Sequence, residues 1–132
     1  LRDTGLTKLN EDIVVPRSRL EVLFKFAERL QKKFGIPVAC FGHAGDGNIH
    51  VNVMIDKSDP FQEKQGRKVL DALFAQVLKW NGSITGEHGV GLAKMPWLDQ
   101  ALSPENLALH QTLKSALDPN GILNPGKFVP ES

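Results

Sequence analysis

Two β-period runs joined by a glycine-rich turn constrain this chain most. Val38 to His43 is the first run and Ile49 to Ile55 the second. The connector, Ala44-Gly45-Asp46-Gly47-Asn48, is built of residues that tolerate positive φ. In the second run Ile49, Val51, Val53 and Ile55 fall on one face, and His50, Asn52 and Met54 on the other. The apolar face calls for helices to cover it. The other face carries polar groups and is left open.

The flanking segments supply those helices. Asp12-Ile13-Val14-Val15 is a β-branched run before Pro16 and reads as a first strand, while residues 1–10 show no period and read as an entering segment. Leu20, Leu23, Phe24, Ala27, Leu30 and Phe34 recur at spacings of three and four, a helical stripe that starts at Pro16 or Ser18 and stops at Gly35 and Pro37. A second helix opens at Lys57-Ser58-Asp59-Pro60, carries Val69, Leu70, Leu73, Phe74, Val77 and Leu78, and ends at Asn81-Gly82. Ser83-Ile84-Thr85 reads as a short fourth strand, followed by the loop Gly86-Glu87-His88-Gly89-Val90-Gly91. Ser103 and Pro104 fit the N-cap and first position of a helix running to about Leu117. Asp118 to Gly121 reads as a turn and Asn124 to Phe128 as an extended tail. The order β-α-β-β-α-β predicts an α+β, ferredoxin-like split βαβ domain. Its four-stranded antiparallel sheet has two helices on one face, with a C-terminal helix and tail added. The expected division is a cap over 1–102 and a C-terminal segment over 103–132.

Composition excludes several classes. Sixteen basic and 15 acidic residues leave a net charge of +1, so there is no field for nucleic acid or an anionic membrane. No apolar run approaches the roughly 18 residues of a membrane helix. The single cysteine, Cys40, rules out an internal disulfide framework and fits a reducing compartment. A cytoplasmic location is therefore expected, with peripheral attachment at the inner membrane face compatible with it. The chain opens at Leu1 rather than Met and reads as a piece of a longer one.

Chemistry concentrates around the turn. His43 and His50 bracket it, and a hairpin closing symmetrically about residues 44–49 sets them opposite each other on one face. Two neutral imidazoles so placed suit a divalent ion, zinc first, with manganese or iron as alternatives. Glu87, just past the fourth strand, is the best third ligand. His88 cannot easily reach the same ion from the next position and is better suited to act as a general base. An isolated histidine in a strand is more often a satisfied polar residue than a ligand. Here three of the four histidines lie in glycine-rich turns beside an acid, which weakens that reading. His110 reads as an ordinary helix residue. Gly45-Asp46-Gly47 lacks the Lys-Ser/Thr of a phosphate loop.

Three long motifs then carry a resemblance: residues 41–50 (FGHAGDGNIH), residues 82–91 (GSITGEHGVG) and residues 118–127 (DPNGILNPGK). Together they resemble the C-terminal region of FAD-linked 2-hydroxyacid oxidases and dehydrogenases, whose overall fold is of the vanillyl-alcohol-oxidase type. The resemblance runs from Asp12 to Phe128. It implies oxidation of a 2-hydroxyacid of the glycolate or D-lactate type to the 2-oxoacid, with FAD held mainly by an N-terminal domain outside these 132 residues. It implies metal ligands at His43, His50 and Glu87, the active-site base at His88, a substrate-lining position at Asn52 and an approach to the flavin at Asn124. Implied partners are the substrate, the chain's own FAD domain and other oxidase subunits, an iron–sulfur subunit among them. Self-association through the exposed sheet face is a further candidate. The 132 residues alone are expected to be inactive. Two other readings compete: a stand-alone ligand-binding or dimerisation module, and a metal-dependent hydrolase using the same ligands with water.

Overall fold

The computed structural model describes residues 6–128, which divide into two compact units, one up to His88 and one from Gly89 onward. In the first unit three strands, β1 (Thr7–Val14), β2 (Val38–His43) and β3 (Asn48–Ile55), form an antiparallel sheet in the order β1-β3-β2. Helix α1 (Leu20–Phe34) follows a 3-10 turn at Arg17–Arg19 and links β1 to β2; α2 (Pro60–Lys79) follows β3.

The centres of the hydrophobic stripes act as their spacing requires, while Phe24, expected in the α1 stripe, is exposed, and Leu20, Phe34 and Leu78 are half-buried at the margins. Leu23, Ala27 and Leu30 of α1 and Val69, Leu70, Leu73, Phe74 and Val77 of α2 are buried, together with Ile49, Val51, Val53 and Ile55 of β3. The two helices pack on each other, α1 on β2 and α2 on β3. Gly66 lets α2 approach the sheet, because a Cβ there would stand 2.8 Å from Ile55 Cγ2. Asp59 caps α2 by accepting from the Phe61 N–H at 2.9 Å, and Pro60 takes the first helical position. Gly35 ends α1 in the left-handed conformation at φ 67°.

Three sequence expectations need correction. First, β1 begins at Thr7, within the segment read as having no period. Lys8 and Asn10 pair with Met54 and Asn52, so the strand is held by β3's backbone rather than by its own apolar pattern. Second, the four-stranded ferredoxin-like sheet is corrected to three strands. The segment 83–85 makes only an isolated bridge, with Val14 N–H donating to Ser83 C=O at 3.0 Å and Ser83 N–H to Val14 C=O at 2.9 Å. Past Ser83 the backbone donors go to side chains instead of a ladder. Thr85 N–H donates to Ser83 Oγ at 3.3 Å, and the next three N–H groups go to Asp12. Third, the tail is not extended. Asn124 and Gly126 take positive φ values of 48° and 67°, and Lys127 N–H returns to Asn124 C=O at 3.3 Å. An Asn-Pro-Gly sequence supplies a turn.

In the second unit a 3-10 turn at Met95–Trp97 leads into α3 (Leu98–Ala101), followed by α4 (Pro104–Leu117). Ser103 caps α4 by accepting from Asn106 N–H at 3.3 Å. After α4, Asp118 accepts from Ile122 and Leu123 N–H at 3.1 and 2.9 Å and pairs with Lys114. The Lys114 ammonium and these N–H donors hold its carboxyl below the ordinary aspartate value. No helix among the described residues is long and apolar enough to cross a membrane.

Candidate metal centre

The hairpin register places the histidines. Gly47 N–H closes the turn on His43 C=O at 3.1 Å, and Asp46 accepts from Asn48 N–H at 3.0 Å. Pairing therefore starts at His43↔Asn48, and His50 stands opposite Phe41. The symmetric hairpin expected from the sequence, with the two histidines face to face, is corrected by two residues. His43 and His50 still share a face, because the shift is even, but they lie on a diagonal with ring centroids 6.5 Å apart.

The loop past Ser83 brings the acid. Glu87 Oε1 lies 3.3 Å from His50 Nε2 and 3.9 Å from His88 Nε2. The donor atoms of His50, Glu87 and His88 all fall within 4.8 Å of one another. His43, expected as a ligand beside His50, lies outside this group, and His88, expected as the base, lies inside it. His50 is the sheltered member, 14% exposed against 53% for the Glu87 side chain and 46% for that of His88. Its ring is stacked on Phe41 at a centroid distance of 5.3 Å and lies tilted against that of His88 at 5.4 Å.

The fit to a divalent ion can be judged from these distances. Two donors each about 2.0 Å from a tetrahedral ion stand about 3.3 Å apart. The His50–Glu87 separation of 3.3 Å meets that spacing. The buried Nδ1 of His50 has no hydrogen-bond partner among the described residues. The donor set, imidazole nitrogen and carboxylate oxygen, suits zinc and its neighbours.

Asn52 lies two residues along β3 on the same face as His50. It is buried, as is Met54 further along, so the sheet face expected to be left open is not exposed at these positions; the Asn52 Oδ1 lacks a hydrogen-bond partner among the described residues. Asn48 shares that face and is also buried, with an unpartnered Oδ1 packed on Gly86. Asn124 is exposed in the turn of the second unit. One central residue escaped the sequence reading. Asp12, taken there as part of a plain strand, is fully buried, and its Oδ2 accepts from the N–H groups of Gly86, Glu87 and His88 at 2.8, 2.5 and 2.8 Å. The available signal was a charged residue inside a β-branched run, which must find donors if buried.

An imidazole–carboxylate cluster on the polar face of an antiparallel sheet defines a class of candidate metal-binding domains. Comparison with known proteins narrows it. Residues 1–128 match the family "FAD linked oxidases, C-terminal domain", and the chain belongs to that family. It is 38% identical over 122 residues to glycolate oxidase subunit GlcD of Bacillus subtilis, covering 92% of this chain and 26% of that protein. It is 36% identical over 119 residues to the mitochondrial D-lactate dehydrogenase [cytochrome] of Arabidopsis thaliana, covering 90% of this chain and 21% of the relative. With D-2-hydroxyglutarate dehydrogenase of Stutzerimonas stutzeri it shares 42% identity over 95 residues, 69% of this chain and 20% of the relative. The fold is similar to that of 4-ethylphenol oxidase from Gulosibacter chungangensis, with a TM-score of 0.69 at 22% identity, over 98% of this chain and 26% of that one. The chain thus spans about a quarter of the length of the relatives it matches.

Proposed function

We propose that this chain is the C-terminal part of an FAD-dependent oxidoreductase that converts a 2-hydroxyacid to the 2-oxoacid. The relatives named as glycolate oxidase, D-lactate dehydrogenase and D-2-hydroxyglutarate dehydrogenase share that substrate chemistry. The single observation that carries the reading is the His50–Glu87 pair at ligand spacing, with the imidazoles of His43 and His88 near His50.

His50 and Glu87 would hold a divalent ion, with His43 joining them from the same face. Such an ion supplies Lewis-acid polarisation of the substrate's hydroxyl and carboxylate. FAD, held mainly outside this chain, supplies the two-electron acceptor. His88 takes the hydroxyl proton. Its Nδ1 faces the Asp12 carboxylate, 3.8 Å from Oδ1, which turns Nε2 toward Glu87 and the reacting group. Asn52 supplies a buried amide on the same face, suited to orient a polar substrate. Phe41, half exposed beside His50, forms an apolar wall and shields the imidazole from water. The segment 103–132 returns to the FAD domain and brings Asn124 toward the flavin.

The test uses the full-length protein that carries this chain. It is expected to reduce an artificial electron acceptor with glycolate, D-lactate or D-2-hydroxyglutarate. His88→Ala should lower turnover by a factor of at least about 100 while FAD content stays normal. Full activity in that variant removes His88 from the reaction. Inactivity of the unaltered holoprotein toward every 2-hydroxyacid removes the substrate class.

A further inference from the structure

The loop that bears Glu87 and His88 belongs to no helix or strand, yet it must aim two side chains at a fixed point. Asp12 supplies the constraint. Its carboxylate is fully buried, and three consecutive N–H groups, of Gly86, Glu87 and His88, converge on the one oxygen Oδ2. Thr85 Oγ1 donates to the same carboxylate, at 3.3 Å to Oδ1 and 3.4 Å to Oδ2. Successive N–H groups that converge on one anion define a concave backbone nest, a conformation with little freedom. Fixing that backbone fixes the Cα–Cβ directions of Glu87 and His88.

The sheet ties this clamp to the other half of the centre. Asp12 and His50 are direct partners in the β1–β3 register. One strand pair therefore sets both the imidazole and the anion that holds the facing loop. We propose that Asp12 is a positioning residue for the metal centre: it anchors residues 85–88 so that the Glu87 carboxylate meets His50 Nε2. This inference rests on the metal-centre reading given above. A carboxylate that only filled space in a strand would need donors, but not donors drawn from the very residues that carry the ligand and the base. Hydrogen bonds to a charged acceptor are roughly twice as strong as those to a neutral one. An amide of the same shape therefore weakens the clamp without emptying the site.

The experiment is a zinc titration of the full-length holoprotein, stripped of metal by a chelator. Zinc alone is the probe. Asp12→Asn should raise the zinc dissociation constant about 10- to 100-fold, the usual cost of losing an outer partner of a ligand. Val69→Ala, a core truncation in α2, is the control for mere destabilisation and should leave zinc affinity at the parental value. Glu87→Ala should lose high-affinity zinc. If Glu87→Ala binds zinc as the parent does, the metal-centre reading fails. If Glu87→Ala loses zinc but Asp12→Asn matches the parent, or if Val69→Ala weakens zinc as much as Asp12→Asn, the positioning role is overturned and the metal centre stands. A second measurement needs no variant: in the unaltered protein the amides of Gly86, Glu87 and His88 should exchange with solvent as slowly as those of β3. Rapid exchange there overturns the clamp.

Discussion

Gly86 offers the sharpest test of how tightly this loop sits on the sheet. An added Cβ would fall 2.6 Å from Asn48 Oδ1, 2.9 Å from Cγ and 3.0 Å from Nδ2. All three contacts are to one buried side chain, so Gly86→Ala must displace either Asn48 or the loop. Overpacking of this kind costs about 1–3 kcal/mol. That range corresponds to a roughly 5- to 150-fold change in an opening equilibrium. Native-state hydrogen exchange on the full-length protein reads it locally: amides of residues 48–52 and 86–88 should exchange faster by that factor. Asn48→Ala removes all three contacting atoms. In the double variant Asn48→Ala with Gly86→Ala, the added loss from the methyl group should disappear, giving a favourable coupling of the same size, about 1–3 kcal/mol. Parental exchange in Gly86→Ala, or a double variant showing the simple sum of the single effects, refutes the packing reasoning.

Two further outcomes are expected. Burial pushes the Cys40 thiol up from 9.0 to about 11, so at pH 8 its thiolate is about 100-fold scarcer than in the unfolded chain. The greater nucleophilicity of the more basic thiolate offsets about tenfold of this, so alkylation of the Cys40 peptide should run about tenfold slower in native protein than in urea. Equal rates contradict the burial. Because the native state keeps its proton to higher pH, the stability linked to this thiol is full below about pH 9 and declines as pH rises toward 11. Separately, His43→Ala should weaken zinc binding, while His88→Ala should leave zinc in place and remove turnover. The opposite pattern in the zinc titration makes His88 the third ligand and His43 a bystander.

Much of the fold is legible in residue spacing. The stripes of α1 and α2, the alternation in β3 and the Ser103 cap each follow from local chemistry, because the burying face is written into consecutive turns. What escaped depends on partners far along the chain. The strand 7–11 lacks an apolar pattern and exists because β3 offers its backbone. The segment 83–85 has β character, but after the single Ser83–Val14 bridge Thr85 gives its N–H to a side chain. Asp12 meets its partners across 73–76 residues, a distance no periodicity reports. The nearness of His50, Glu87 and His88 was legible, and the hairpin register was misjudged. Glycines and an acid around histidines point to a centre, but the turn's own hydrogen bonds decide which residue faces which. That is why Phe41 rather than His43 stands across from His50.

The pairing of His50 with Glu87 is the point on which the functional account turns, and metal analysis reaches it directly. The full-length protein, equilibrated with zinc and freed of excess, should carry a stoichiometric divalent ion that both His50→Ala and Glu87→Ala lose while keeping their FAD. Undiminished metal in both variants would contradict the account.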